Sequence, residues 1–290
     1  MKIYNKINKK IDKKKNGIIS IGYFDGVHIG HEKILKELVR ISNENNLENY
    51  VLTFDKLPVK NSLKNILLLE DKIELIKSLG VKNLILLNSN NGIFNIKAID
   101  FLYILRKNFN INSFLIAKDF HFGFKREGNE ELIKAENFNI YRVDPVIFNG
   151  EIVSTSLIKN FIIKGDVDKV VKLMDRNFYI KGIVKKGKQL GRKIGFPTMN
   201  IIVNEIILPQ SGSYITKTYI KDKEFFSMSY VSDNLVETYL VGYNEFKYNF
   251  NIKIDFFKKI RDNKKFNSLE ELKIQLNEDL EYLKNYFNIS

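Results

Sequence analysis

Short apolar runs alternate with amphipathic segments throughout the first half of the chain. Four of these runs have the length and composition of buried strands, at 18–21, 50–54, 84–87 and 113–116. Apolar residues at helical spacing predict helices between them, over 31–45, 70–79 and 99–107. Strands separated by amphipathic helices are typical of parallel βαβ units, whose ligands bind at the carboxyl ends of the strands. The first half is therefore predicted to be an α/β domain.

The pattern changes after Asn177, where short strand-like segments replace the alternation of strands and helices. A helical stretch over 156–174, interrupted at 165–166, precedes the change. Six short alternating segments follow, at 179–184, 199–203, 214–220, 225–231, 236–241 and 251–257. They predict a small antiparallel β-barrel, with a hairpin at 221–223 and a C-terminal helix opened by the capping box of Ser268 to Glu271. We place two domains at 1–175 and 176–290.

Composition narrows the choice of function class. The 290 residues suit two domains, and the absence of cysteine excludes a disulfide scaffold, a thiolate zinc site and a cysteine nucleophile. A net charge of +13, from 47 basic and 34 acidic residues, favours anionic partners, although a compositional bias toward lysine explains it equally well. No apolar run is long enough for a membrane span, and the lysine-rich start lacks the apolar region of a signal peptide. We expect a soluble, cytoplasmic protein without a membrane partner.

The segment from Gly22 to His31 joins the first predicted strand to its helix and has the chemistry of an anion site. A helix N-terminus offers unpaired N–H groups and the positive end of the helix dipole, and Gly26 and Gly30 allow close approach of a phosphate. His28 and His31, on the opening turn, can donate hydrogen bonds to phosphate oxygens. Two alternatives stay open, a tight turn with incidental histidines and a metal site that adds Asp25 to the two histidines.

A second candidate site follows a basic, glycine-containing stretch over 181–193. Pro197 fixes the backbone ahead of a predicted strand, on which Thr198 and Asn200 point to the same side. A hydroxyl and an amide oxygen are suitable ligands for Mg²⁺, which also takes phosphate oxygens and water. The alternative is an ordinary turn followed by a strand.

Five stretches carry a resemblance to one known family. They are Gly22-Tyr23-Phe24-Asp25-Gly26-Val27-His28-Ile29-Gly30-His31, Thr53-Phe54-Asp55 with Pro58, Asp119-Phe120-His121-Phe122-Gly123 with Gly128-Asn129, Gly195-Phe196-Pro197-Thr198-Met199-Asn200, and Arg261-Asp262 with Phe266. These resemble the GxFDGVHxGH, TFDPHP, DFRFG, GFPTAN and RDExKF motifs of the prokaryotic bifunctional riboflavin kinase/FAD synthetase (FMN adenylyltransferase) family. The family's activities imply riboflavin, FMN, FAD and ATP as partners, with Mg²⁺ and ATP as cofactor and co-substrate.

For the first domain the resemblance implies a Rossmann-like nucleotidylyltransferase sheet that transfers AMP from ATP to FMN. His28 and His31 would contact the ATP phosphates. The other residues expected at ATP or its phosphates are Gly22, Phe24, Asp25, Gly26, Gly30, Ser154, Thr155, Ser156 and Lys159. The last four lie in the stretch that resembles the family's SSTRIR, which keeps hydroxyl residues at 154–156 and has Leu157 and Lys159 in place of its two arginines. The flavin nucleotide would contact Asp119, Phe120, Phe122 and Gly123, with core packing as the alternative for the phenylalanines.

For the second domain the resemblance implies a small flavokinase barrel. Thr198 and Asn200 would serve ATP·Mg²⁺, with Gly187, Gly195 and Pro197 also at ATP. Glu237 resembles the glutamate of the family's ETHL motif and would act as base on the riboflavin 5′-hydroxyl, the alternative being a solvent-facing strand residue. Arg261 would approach flavin or phosphate from a flap.

Departures from the family pattern leave a second interpretation open. The segment 232–235 is shorter than the family's GNRPTF-like segment, so one of the two activities could be lost. A basic nucleic-acid-binding protein is the alternative from another class. Against it, the sequence has no RNA-binding aromatic motif and no helix-turn-helix with clustered base-reading residues. We therefore expect both flavin reactions and no nucleic-acid partner.

Overall fold

The computed structural model describes residues 1–8, 10–11, 15–56, 64–89, 92–187, 189–245 and 247–289. Pro58, from the second family-like motif, lies outside these residues. The chain forms two compact units, the first of residues 1–63 and 67–154 and the second of residues 64–66 and 155–290. Among the described residues, no helix has both the length and the apolar character needed to cross a membrane.

The first unit is built on a parallel sheet. Its described strands are β1 (Lys2–Tyr4), β2 (Gly17–Ile21), β3 (Glu48–Phe54), β4 (Asn83–Leu87), β5 (Ile111–Ala117) and β6 (Asn139–Val143). The helices are α1 (Ile29–Glu44), α2 (Leu69–Ser78), α3 (Ala98–Phe109) and α4 (Glu130–Ala135). A short hairpin of β7 (Ile147–Phe148) and β8 (Glu151–Ile152) ends the unit. The predicted α/β fold is confirmed, and β1 and β6 are strands that the hydrophobic pattern missed.

The strand order places the loop after β2 and the loop after β5 at the centre of this sheet. Strands run β1-β4-β3-β2-β5-β6, and every pairing is parallel. The order reverses between β2 and β5, because the chain first builds outward from β2 through β3 and β4 and then returns to β5. Open α/β sheets bind ligands at such a switch point, beyond the carboxyl ends of the strands. The loop after β2 and the loop after β5 both lie there.

The second unit begins with two helices and continues as an antiparallel sheet. The helices are α5 (Thr155–Lys164), α6 (Val167–Met174), α7 (Leu190–Lys193) and α8 (Leu269–Phe287). The strands are β9 (Phe178–Ile183), β10 (Thr198–Ile202), β11 (Gly212–Ile220), β12 (Lys223–Ser232), β13 (Leu235–Leu240) and β14 (Asn251–Asp262). Each predicted strand of this region is present, with bounds shifted by a few residues.

The antiparallel sheet curls into a half-barrel. Its order is β10-β13-β12-β11-β14-β9, and the two edge strands approach each other where Lys185 N–H donates to the Asn200 carbonyl at 2.8 Å. Five buried hydroxyl side chains hydrogen-bond to one another on the inner face, Thr216, Thr218, Ser227, Ser229 and Thr238. Each of these five hydroxyls therefore has a hydrogen-bond partner, which offsets the cost of burying it.

Two helical features agree with sequence signals. The Ser268 hydroxyl accepts from the Glu271 N–H at 3.1 Å, so the predicted capping box starts α8. The helical stretch 156–174 is interrupted where predicted, as α5 and α6. The compact units divide between Ser154 and Thr155, since α6 packs on β14 and β9. The proposed boundary after residue 175 follows the change of sequence pattern instead and stays a prediction.

Candidate functional site

The loop after β2 has an unusual backbone. Phe24, Gly26 and Val27 have φ values of 51°, 78° and 37°, and Asp25–Val27 forms one turn of 3₁₀ helix. Positive φ is costly for phenylalanine and more so for β-branched valine, and such strain clusters at ligand sites. The Phe24 side chain is buried, and a Cβ on Gly22 would lie 3.0 Å from its ring. The sharp reversal of the chain therefore depends on a glycine and a buried aromatic ring.

The reversal brings the two histidines together at the start of α1. His28 is the N-cap of α1, and its Nδ1 accepts from the His31 N–H at 3.3 Å. The two imidazole rings are stacked with centroids 3.6 Å apart, and the Phe24 ring meets His31 edge-on at 5.1 Å. Because Nδ1 of His28 is an acceptor, the proton of the neutral ring is on Nε2. A Cβ on Gly30 would lie 3.1 Å from the His28 ring, so a larger residue here would push against that ring.

Asp25 is buried within the same loop. Its carboxylate accepts from the Leu67 N–H, just before α2, at 3.4 Å. Among the described residues, no group of three histidine, aspartate or glutamate side chains is arranged to hold a metal ion. The metal alternative for Asp25, His28 and His31 is therefore not met by the geometry. Two histidines at a helix N-terminus remain, an arrangement suited to an anion.

Sequence reasoning missed one charged residue beneath this loop. The ammonium of Lys72, on α2, donates to the Tyr23 carbonyl at 3.1 Å and the Phe54 carbonyl at 2.8 Å. Only 4% of the residue is exposed. A lysine on a short helix reads as a solvated surface residue, and only the packing of α2 shows that this one is buried.

The loop after β5 forms one side of a cleft at the same edge of the sheet. The cleft has a volume of about 510 Å³, within the usual range of ligand sites, and its lining includes Asp119 and Phe120. Phe122 instead packs in the core, and its backbone pairs with Gly128 through hydrogen bonds of 2.9 and 3.0 Å. Gly123 has a φ of 75°, and a Cβ there would lie 2.7 Å from the Ala98 Cα. Of the predicted flavin contacts in this loop, two line the cleft and two shape the loop.

The lining of this cleft also includes an ion pair that sequence reasoning missed. Arg142, at the end of β6, pairs with Glu130 at the start of α4, and this pairing holds the pKa of Glu130 low. Spacing along the chain gives no signal for the pair, since it depends on α4 lying beside β6.

The hydroxyl-rich segment beginning at Ser154 lies at a helix start, as predicted. Ser154 closes the first compact unit, and Thr155 is the first residue of α5. Ser156 and Lys159 follow in the first turns of that helix. N–H groups at this helix start are the kind that bind phosphate.

The second predicted site forms across two neighbouring strands of the half-barrel. In the antiparallel register, Asn200 of β10 lies opposite Glu237 of β13, and Thr198 lies opposite Tyr239. Thr238 points into the barrel, so Glu237 points outward, and directly opposed residues share a face. Thr198, Asn200 and Glu237 are thus brought together on the outer face. Sequence spacing predicted the first two as a pair, and only the strand register adds the glutamate.

Asn200 is held in a way that fits a cation ligand. It is 7% exposed, and among the described residues nothing donates a hydrogen bond to its buried Oδ1. A Cβ on Gly187 would overlap the amide nitrogen of Asn200 and lie 2.8 Å from its Cγ. An amide oxygen fixed in position and without a donor, beside the Thr198 hydroxyl, suits a hard cation such as Mg²⁺.

The loop before β10 contributes residues to a small pocket that includes Thr198. Gly195 has a φ of 88°, and Pro197 lies with Thr198 in a small pocket. Gln189 and Arg192 both donate to the Tyr248 hydroxyl, at 3.1 and 3.0 Å. Pro197 therefore lines the same pocket as Thr198, and Gly195 forms the turn that precedes it.

The surroundings of Glu237 include two further polar groups. Burial raises the pKa of the Tyr230 hydroxyl, the Glu237 carboxylate raises it further, and Arg261 opposes both. Arg261 is tied to Asp279 of α8, with Nε 3.0 Å and Nη2 2.9 Å from carboxylate oxygens. Its guanidinium also lies 5.6 Å from the Phe266 ring. Arg261 is thus an anchored cation near Glu237, and its partner Asp279 was not found from the sequence.

Comparison with known proteins gives the same two-part division. The FAD synthetase family model matches residues 10–157, and the riboflavin kinase family model matches residues 174–287. The bifunctional riboflavin kinase/FMN adenylyltransferase of Buchnera aphidicola subsp. Schizaphis graminum is 33% identical, covering 97% of this chain and 96% of the relative. That of Bacillus subtilis is 28% identical, covering 96% and 94%.

A solved structure matches the whole fold. A crystal structure titled as a macrolide-efflux protein from Streptococcus pneumoniae superposes with a TM-score of 0.89 at 24% identity, covering 98% of this chain and 99% of that one. This likeness concerns the fold alone. The family matches and the identity over nearly the full length decide the classification. The chain belongs to the family of bifunctional riboflavin kinases/FMN adenylyltransferases.

Proposed function

We propose that this chain catalyses two consecutive reactions with ATP. The second unit phosphorylates riboflavin to FMN, and the first unit joins AMP from ATP to FMN, giving FAD and pyrophosphate. The observation that carries the proposal is that each compact unit has its own arrangement for phosphate chemistry. Stacked histidines begin α1 in one unit, and Asn200 lies opposite Glu237 in the other.

In adenylyl transfer, an oxygen of the FMN phosphate attacks the α-phosphorus of ATP in line. The bond from the α-phosphorus to the bridging oxygen breaks, and pyrophosphate leaves with the negative charge. His28 and His31 donate hydrogen bonds to phosphate oxygens as that charge develops. N–H groups of the Gly22–His31 loop add fixed positive potential.

The flavin nucleotide is expected in the cleft beside β5. Asp119 and Phe120 line this cleft and would contact FMN directly. Phe122 and Gly123 would act by holding the loop against the core and against α3. Phe24 and Asp25 are likewise buried, so their contribution to ATP binding is to shape the loop.

In riboflavin phosphorylation, Glu237 takes the proton of the 5′-hydroxyl as its oxygen attacks the γ-phosphorus and ADP leaves. Thr198 and Asn200 would hold Mg²⁺, which when bound neutralises charge on the phosphate oxygens. Gly187, Gly195 and Pro197 shape the path that ATP takes to them. Arg261, anchored by Asp279, would face the flavin or the transferred phosphate.

The test is one assay on the whole chain. The protein is incubated with riboflavin, ATP and Mg²⁺, and FMN and FAD are separated over time. We expect FMN first and FAD after it. FMN without FAD would remove the adenylyltransferase proposal, and FAD from supplied FMN with no product from riboflavin would remove the kinase proposal.

Two variants assign the reactions to the units. His31→Ala should stop FAD formation and leave FMN formation intact, because it removes an imidazole from the first unit only. Glu237→Gln should do the reverse, since glutamine keeps the shape of the side chain without its basicity. An equal loss of both products in either variant contradicts the assignment.

A further inference from the structure

Lys72 is a buried charged residue that the proposed reactions do not use. Its ammonium has three hydrogens and three oxygen acceptors, the Tyr23 carbonyl at 3.1 Å, the Thr53 hydroxyl at 3.3 Å and the Phe54 carbonyl at 2.8 Å. It also lies 4.3 Å from the centroid of the Tyr23 ring. One side chain from α2 thus joins the carboxyl ends of β2 and β3.

Burying a lysine at this position costs free energy. Removing an ammonium from water is unfavourable, and burial lowers the pKa of Lys72 to about 8, against the opposing carboxylates of Asp25 and Asp55. An apolar side chain of similar length would fill the space without that cost. The three acceptors nevertheless all belong to the ends of the two strands, so the charge is used to hold those ends together.

The contacts of Lys72 lead directly to the histidines. The Tyr23 carbonyl accepts from Lys72 and also from the Thr53 hydroxyl, at 2.9 Å. Tyr23 is followed by Phe24, which has the left-handed backbone and the ring that meets His31 edge-on. His31 in turn stacks on His28. A shift of the Tyr23 carbonyl would therefore move the Phe24 ring, and with it the His31 and His28 rings.

We propose that Lys72 is a positioning residue for adenylyl transfer, fixing the Gly22–His31 loop so that His28 and His31 meet the ATP phosphates. The inference rests on the function proposed for the first unit. Lys72 is buried beneath the loop, so we expect it to act through the loop and not by contact with substrate. Its loss should therefore act on the rate of the chemical step more than on substrate binding.

The main experiment compares Lys72→Met with Lys77→Met in the complete chain. Lys77 is on the same helix, and 55% of its side chain is exposed, so its substitution controls for loss of a lysine from α2. We expect Lys72→Met to lower kcat for FAD formation about tenfold to a hundredfold, the usual cost of misplaced catalytic groups. The KM values for ATP and FMN should change less than about threefold, because ground-state binding is kept. Riboflavin phosphorylation should be unchanged, as should both reactions of Lys77→Met.

A second readout does not depend on turnover. Nitrogen-15 spectra of the histidine rings report the tautomer and surroundings of each imidazole. In Lys72→Met the signals of His28 and His31 should shift, while exposed His121 keeps its position. Thr53→Val, which keeps the shape of the side chain and removes one donor to Tyr23, should show the same changes at smaller size.

The outcomes separate the two proposals. If the unmodified chain forms no FAD, the proposed function of the first unit fails, and the histidine signals still decide the role of Lys72. If it forms FAD and folded Lys72→Met keeps the kcat of Lys77→Met, the positioning role is wrong. Unmoved His28 and His31 signals would also overturn it. If circular dichroism shows Lys72→Met unfolded, Thr53→Val decides, and an unchanged kcat and spectrum there overturn the inference.

Discussion

Buried Lys72 links the stability of the first unit to pH in alkaline solution. At pH 7 the ammonium is charged in both the folded and the unfolded chain, and the folded state bears the cost of its burial. As the pH rises above about 8, the folded state releases this proton, whereas the unfolded chain keeps it until its ordinary pKa of 10.5. Between these values the unfolded state binds more protons, so stability from this group increases with pH.

The size of the effect follows from the two pKa values. A lowering from 10.5 to about 8 corresponds to about 3 kcal/mol in total, at about 1.4 kcal/mol for each pH unit. Relative to pH 7, the gain is about 1.4 kcal/mol at pH 9 and about 2.5 kcal/mol at pH 10. Lys72→Met has no such group, so the difference in unfolding free energy between the unmodified chain and this variant should follow that curve.

The measurement is urea unfolding followed by circular dichroism at pH 7, 8, 9 and 10. The chain has two compact units, so each transition is fitted separately, and the one altered in Lys72→Met is assigned to the first unit. Comparison with Lys77→Met cancels tyrosines and other groups that titrate in the same range. A free-energy difference that stays flat or falls between pH 7 and pH 10 would refute the reasoning.

Two further variants test the second unit. Gly187→Ala should lower FMN formation and leave FAD formation from supplied FMN unchanged, because the added Cβ overlaps the Asn200 amide; equal losses in both assays would contradict this. Asp279→Asn should destabilise the second unit by about 3 kcal/mol, because it leaves Arg261 without its buried counter-charge. Urea unfolding at pH 7 measures this, and an unchanged transition would show that the ion pair contributes little.

Much of the fold was predictable because burial repeats with the period of the secondary structure. The strands of both sheets carry apolar residues at strand spacing, and the capping box marks the start of α8. β1 and β6 were not predicted, because the prediction relied on runs of buried apolar residues. β1 has three residues and is largely exposed, and β6 is buried only at Val143, so neither shows an apolar run.

The residues of the candidate sites likewise include some that local motifs predicted and some that depend on packing. Local motifs located His28 and His31 at a helix N-terminus and Thr198 and Asn200 on one strand, because those relations depend on neighbours along the chain. Phe122 matched a motif as well as Phe120 did, yet Phe122 is buried in the core, whereas Phe120 is only partly buried against it and also lines the cleft. Which aromatic residue is buried depends on what packs against the loop, and the motif does not contain that information.

The sequence by itself determined the two folds, the order of the two domains and the motifs that identify the family, because these follow from periodicity and short-range spacing. Only the tertiary structure decided that Glu237 faces the side of Asn200, that Asp279 holds Arg261, and that Lys72 is buried under the histidine loop. Each of these contacts joins residues far apart in the chain. Strand register and helix packing bring them together, and neither is written in the local pattern of polar and apolar residues.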